Sequence, residues 1–304
     1  MKRKSLVKKA LLPAIVAVVC SVLALTSVSY AWFTMGNSAS VGTIDVNVKA
    51  ADGIQISADA QNWKSVLPIT ELKGVATNQF PTNEILPMSS VGQYTDGKQL
   101  MYKGTVGSDG KTLVTEAQAE GASEKNFIAF DIYVKLDNEK EFYLSQGSSV
   151  VGVTNSQGIE ESVRVSFAYL GTADTAAGAV ALAPSSVNPF IWEPNHKNHS
   201  HVESGVDNGT AVESYYGVKK ANSTGFDMTS TTDAENLAEV EPVQIDYGTD
   251  GKTTTDVKLF DLEAGYSKIR VYIWVEGQDA DCINDASGFG FAVNLSFNVP
   301  EETE

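Results

Sequence analysis

The sequence predicts an all-β fold: an antiparallel sandwich with loop-rich insertions, set behind an N-terminal hydrophobic signal helix. Three observations predict it. Apolar residues recur with a period of two in several segments, Gly- and Asn-rich breaks separate those segments, and no long helical pattern follows the N-terminal apolar run. Many short strands with such breaks are the signature of two packed antiparallel sheets.

The chain starts with a basic end, Lys2, Arg3, Lys4, Lys8 and Lys9, followed by an uncharged apolar run at 10–28. No charged residue occurs between Lys9 and Asp45. Small residues close the run, with Ser29 at −3 and Ala31 at −1 of a bond to Trp32, which is the grammar of a secretory signal cleaved between Ala31 and Trp32. The competing expectation is a retained anchor, because a helix crosses the hydrocarbon core with roughly 20 residues. Cys20 lies inside the apolar run behind Val19, where lipidation would want a small residue, and reads as apolar filler.

The strands follow. Residues 32–50 form an N-terminal strand segment in which Ile44, Val46 and Val48 alternate with Asp45 and Asn47. In 127–136, Ile128, Phe130, Ile132 and Val134 share one face, and 162–170 repeats the pattern. Near the C-terminus Ile269, Val271, Ile273 and Val275 alternate with Arg270, Tyr272, Trp274 and Glu276, and Phe291, Val293, Leu295, Phe297 and Val299 form another such face. A short helix is a candidate at 234–240. The sandwich is expected over 51–299, with insertions near 92–124 and 171–251 placed as loops or small subdomains. The acidic tail 300–304 carries no apolar helix or sorting-type motif, so no anchor is expected from it.

Composition narrows the function classes. The chain holds 22 basic and 38 acidic residues, net −16, and removing the five N-terminal cations lowers that to −21. So acidic a surface repels phosphate backbones, which argues against nucleic acid as a partner. An apolar share of 42% supports a real core. Cleavage leaves Cys282 alone, so no intrachain disulfide is expected.

Each candidate site has a plainer alternative. His196, His199 and His201 could share zinc or copper, but their spacing is not that of a His-Glu-x-x-His helix, and a polar loop is the plainer reading. A metal-dependent hydrolase would have to use them. Asp279, Asp281, Asn284 and Asp285 offer hard oxygen ligands for calcium without the glycine and bidentate glutamate of an EF-hand; a solvated hairpin loop is the alternative. Cys282 in that loop is a reactive thiol or, more simply, a small buried hydrophobe. Trp63, Trp192 and Trp274 with Tyr215 and Tyr216 could stack a sugar or pack a core. Either both faces of the Trp274 strand are buried or Trp274 is exposed for a purpose. No nucleophile–base pair or phosphate loop stands out, so no catalytic residue and no cofactor beyond candidate calcium is expected.

Tyr30-Ala31-Trp32-Phe33-Thr34, followed by Val41-Gly42-Thr43-Ile44-Asp45-Val46-Asn47-Val48, resembles the export and processing region of the TasA/camelysin group. These are secreted proteins of Gram-positive bacteria released by a SipW-type signal peptidase. The stretch from Ile273-Trp274-Val275-Glu276-Gly277 to Gln278-Asp279-Ala280-Asp281-Cys282 also resembles a segment of uncharacterised clostridial proteins with this signal type. The resemblance implies a jelly-roll-like sandwich, giving a jelly-roll/Ig-like form to the antiparallel fold. In fibre-forming members it implies donor-strand assembly, in which the freed N-terminal segment completes a neighbour's sheet.

The expected function is that of a secreted, non-catalytic surface or extracellular-matrix protein, a biofilm-type fibre or pilus-like subunit. Its partners would be the signal peptidase and further copies of itself in a homopolymer, with transient or N-terminal membrane association. Trp32, Phe33, Val41, Ile44, Val46 and Val48 would form the assembly strand, since an extended segment pairs its backbone with an open sheet edge. The alternative is a monomeric binding module for carbohydrate or a host ligand, displayed on an uncleaved anchor.

Overall fold

The structure is a computed structural model. It describes residues 44–50, 54–81, 85–90, 92–106, 112–118, 120–121, 126–153, 156, 158–194, 222–227, 253, 255–277, 279, 282 and 290–300. In chain order these form β1 (Ile44–Ala50), β2 (Gln55–Ser57), β3 (Val66–Pro68), α1 (Ile69–Gly74), β4 (Met88–Ser89), β5 (Tyr94–Thr95), β6 (Lys98–Gln99), β7 (Met101–Val106) and β8 (Thr112–Gln118). Then come β9 (Ile128–Leu136), β10 (Lys140–Leu144), β11 (Ser149–Gly152), β12 (Val163–Ala173), α2 (Ala176–Ala181), β13 (Phe190–Trp192), β14 (Asn222–Asp227), β15 (Val257–Leu262), β16 (Gly265–Val275) and β17 (Phe291–Asn298).

Most strands pair antiparallel, so the all-β expectation holds. One sheet has the order β15-β10-β17-β1-β3, with β11 also on β17; another has the order β13-β12-β16-β9-β2. Alternation dictates how they face. Along β17 every second residue is buried, namely Phe291, Val293, Leu295 and Phe297. These enter one apolar core with Ile128, Phe130, Ile132 and Val134 of β9, Val165 and Phe167 of β12, and Ile269, Val271 and Ile273 of β16. Phe297 stands edge-on to Phe167 at 5.9 Å between centroids and stacks on Phe142 at 4.9 Å. Each such buried ring stabilises the fold by roughly 1.5–3 kcal/mol relative to exposure.

Among the described strands, one ladder departs from the antiparallel expectation. β1 lies parallel to β17, in register from Ile44↔Phe291 to Ala50↔Phe297. A parallel pair needs a long connection. Here almost the whole chain separates the two strands, so that requirement is met without any special crossover.

The stretches read as insertions are largely structured where they are described. β7 and β8 form a hairpin, β4 flanks it on one side, and β14 from the second stretch pairs with β8 on the other. The two stretches therefore share a sheet. Within 171–251 the sandwich itself continues: β12 runs to Ala173, and β13 pairs with it through Val165↔Trp192. The helix expected at 234–240 lies outside the described residues.

Candidate functional site

The part of the expected assembly strand that is described, Ile44–Ala50, is seated inside the protein's own sheet. β1 sits between β17 and β3; the β3 ladder covers only Asn47, Val48 and Lys49, and the Ala50 N–H donates to the Ser65 carbonyl at 2.8 Å. Val48 is fully buried in the main core. Ile44 and Val46 hold the register positions opposite Phe291 and Val293. Ala31, Trp32, Phe33 and Val41 lie outside the described residues. Only the part of the segment before Ile44 is thus without a described place in the sheet.

The second feature is a layer of buried charge on the far face of the β9-β16-β12 sheet. On β16 the residues between the core-facing ones are Lys268, Arg270, Tyr272 and Trp274, and these and Glu276 just past the strand are all buried. The reason is tertiary. The β4–β8 region covers this face, and Met88, Tyr94, Met101, Phe127, Ala168, Ile191, Tyr272 and Trp274 form a second apolar cluster beneath it.

Two ion networks lie in that layer. Arg270 pairs with Asp131 on the neighbouring strand at 2.7 Å and with Glu120 from the covering region, and donates to the Thr77 carbonyl at 3.1 Å. The Tyr272 hydroxyl donates to Glu120 at 3.1 Å and accepts the Gln99 N–H at 3.2 Å. Gln99 continues the seam, accepting from Ser166 at 2.6 Å and donating to Ser90 at 3.0 Å. Lys268 reaches Asp131 at 3.5 Å and donates to the carbonyls of Val180 and Leu182, both at 3.1 Å, which closes the C-terminal end of α2. Burial pushes the Tyr272 phenol well above its usual range, with the Glu120 charge adding to it; burial likewise pushes Tyr94 up to about 12.

In the other network Arg164 is enclosed by carboxylates, with Asp279 at 2.5 Å and Glu193 at 2.8 Å. Its guanidinium also donates to the carbonyls of Val163 at 3.3 Å and Glu161 at 3.4 Å. Burial alone would lower its proton affinity; Glu193, Asp279 and Glu276 more than reverse that and raise it. The Trp274 indole donates to Glu276 at 3.1 Å. Paired this way, the charges fix β12, β13 and the segment after β16 against one another.

The structure assigns the sequence candidates as follows. Asp279 is wholly buried as a counter-ion of Arg164, where the solvated-loop alternative would expose it; Asp281, Asn284 and Asp285, the other candidate calcium ligands, lie outside the described residues. His196, His199 and His201 also lie outside them. Among the described residues no group of His, Cys, Asp and Glu side chains is arranged to hold a metal ion. Cys282 is buried in the main core, and its N–H donates to the Asp279 carbonyl at 3.0 Å.

Trp274 and Trp192 are buried, so the sugar-platform expectation fails at both; Tyr215 and Tyr216 lie outside the described residues. Both faces of the Trp274 strand are covered. Sequence reasoning missed Arg164, Glu193, Glu120, Asp131, Lys268 and Arg270. The available signal was the row of long charged side chains on a strand otherwise as apolar as a core strand.

No family model, curated protein or solved structure matches the chain. No described helix is long and apolar enough to cross a membrane; the apolar run at 10–28 lies outside the described residues.

Proposed function

We propose that the chain is a secreted, non-catalytic structural protein of the cell surface or extracellular matrix. It is a fibre- or pilus-like subunit, cut after Ala31 and assembled into a homopolymer by strand exchange. One observation carries the reading: the first described strand, β1, pairs with β17 from Phe291 to Phe297. If β1 of one copy left this place, an apolar, hydrogen-bonding groove would be bared, and the same strand of a second copy would fill it with identical contacts. Such an exchange can run head-to-tail, and it propagates as a filament where the rotation between copies does not close a ring.

The seating of β1 sharpens the idea. Exchange must involve eviction of Ile44–Ala50 as well as the reach of the segment before it. The export grammar of residues 2–31 and the resemblance of 30–48 to the TasA/camelysin group support secretion and processing. The test is a cysteine pair, Asn47→Cys with Asn294→Cys, at positions that face each other across the ladder. Exchange predicts covalent ladders of many chains on denaturing gels of oxidised fibres. Fibres whose cross-links stay within single chains would refute exchange.

A further inference from the structure

We infer that the β1–β17 ladder is a shear clamp, built to hold the fold under tension applied between the chain before Ile44 and the chain after Asn298. The inference rests on strand direction and does not depend on polymer assembly.

Because the two strands are parallel, Ile44 lies beside Phe291 and Ala50 beside Phe297. The chain enters β1 at the end of the sheet where β17 begins. It leaves β17 at the end where β1 stops. Opposed pulls on the two sides therefore slide the strands past each other along their length.

The bonds of a parallel ladder are evenly spaced along the overlap. In sliding they are loaded together and must break together. In peeling they are loaded one at a time. At about 3.3 Å per residue the paired stretch is roughly 20 Å long. An antiparallel β1 in the same place would be unzipped from one end by the same pull.

Both strands are held from behind. β3 pairs with β1 at Asn47, Val48 and Lys49; β11 and β10 pair with β17 at its two ends. Val48, Phe291, Val293, Leu295 and Phe297 are all buried, so sliding would also drag apolar side chains through a close-packed core. The force enters and leaves through this ladder before it reaches the longer β9-β16-β12 ladders.

Optical-trap measurements on the full chain in detergent test the clamp, with Cys20→Ala removing the thiol of the apolar run. Handles at Met1 and Glu304 load the ladder in shear. Handles at Met1 and Val153→Cys load it in peel, because Val153 is exposed and its N–H donates to the Gly290 carbonyl, at the end of the sheet where β17 begins. Ala292→Cys, opposite Asp45, is a second peel attachment. Forced rupture reports the unfolding barrier. The expected result is a rupture force several-fold higher in the terminal geometry at equal loading rate. Equal forces in the terminal and peel geometries overturn the clamp.

Discussion

Arg270 on β16 and Asp131 on β9 are register partners whose side chains meet at 2.7 Å beneath the β4–β8 region. Both are nearly inaccessible to water, and Glu120 reaches the same guanidinium from the covering region. This one relationship ties the sandwich to its cover and makes the cover part of the folded unit.

Removing one member of such a group leaves uncompensated buried charge. Arg270→Met is therefore expected to destabilise the protein by about 3–5 kcal/mol. Adding Asp131→Leu and Glu120→Leu should recover part of that loss, because it removes the two carboxylates that Arg270→Met strands, while Lys268 keeps the Val180 and Leu182 carbonyls as acceptors. Urea titration of the single and triple variants measures both. A triple variant no more stable than Arg270→Met would contradict the account.

The N-terminal segment divides into two parts with different expected behaviour. Deleting residues 32–43 should leave the sandwich folded with its melting temperature little changed, while fibres are lost. Deleting 44–50 removes an interior strand and the fully buried Val48, so it should yield unstable or aggregating protein. Thermal melts and electron micrographs of the two deletions separate the roles.

Trp274→Phe keeps most of the packing but leaves Glu276 without its indole donor. A loss of about 1–3 kcal/mol is expected, the usual cost when a buried polar group loses a partner. Trp274→Ala should be worse, at roughly 3–5 kcal/mol. Chemical denaturation measures both. Retained stability combined with loss of a sugar interaction would restore the platform reading.

Asp59 sets an acid dependence. Its slight burial opposes ionisation, but the N–H groups of Asn62 and Gln61 and the side chains of Asn62 and Ser57 hold its carboxyl well below the ordinary value. In the unfolded chain the group takes up its proton near pH 4. Between there and its lower folded value the unfolded state binds more protons, so stability falls as pH falls. Asp59→Asn should be less stable at neutral pH and lose part of the acid sensitivity below pH 4. Stability measured across pH 2–6 in both proteins tests the sign.

Gly265 joins β15 to β16 at φ +127, and a Cβ there would meet the Ala173 carbonyl oxygen at 2.7 Å. Gly265→Ala is expected to lose about 1–3 kcal/mol through backbone strain. A melting temperature within error of the parent would contradict this.

By itself the sequence determined the strand character of the chain. Ile128 to Val134, Ile269 to Val275 and Phe291 to Phe297 alternate because each presents one face to a core, and that period of two needs no knowledge of the partner. The charge balance and the basic–apolar–small grammar at the start were equally readable, since both are local. The tertiary structure alone decided that β1 lies parallel to β17, because strand direction depends on where the chain returns after a long excursion. It also decided that Trp274, Arg270 and Arg164 are buried and that Asp279 serves as a counter-ion. Alternation tells two faces of a strand apart, but whether the second face meets water or another layer depends on segments far away in sequence. Here Glu120 and Gln99, brought from the covering region, turn a face that looks solvated into a sealed one.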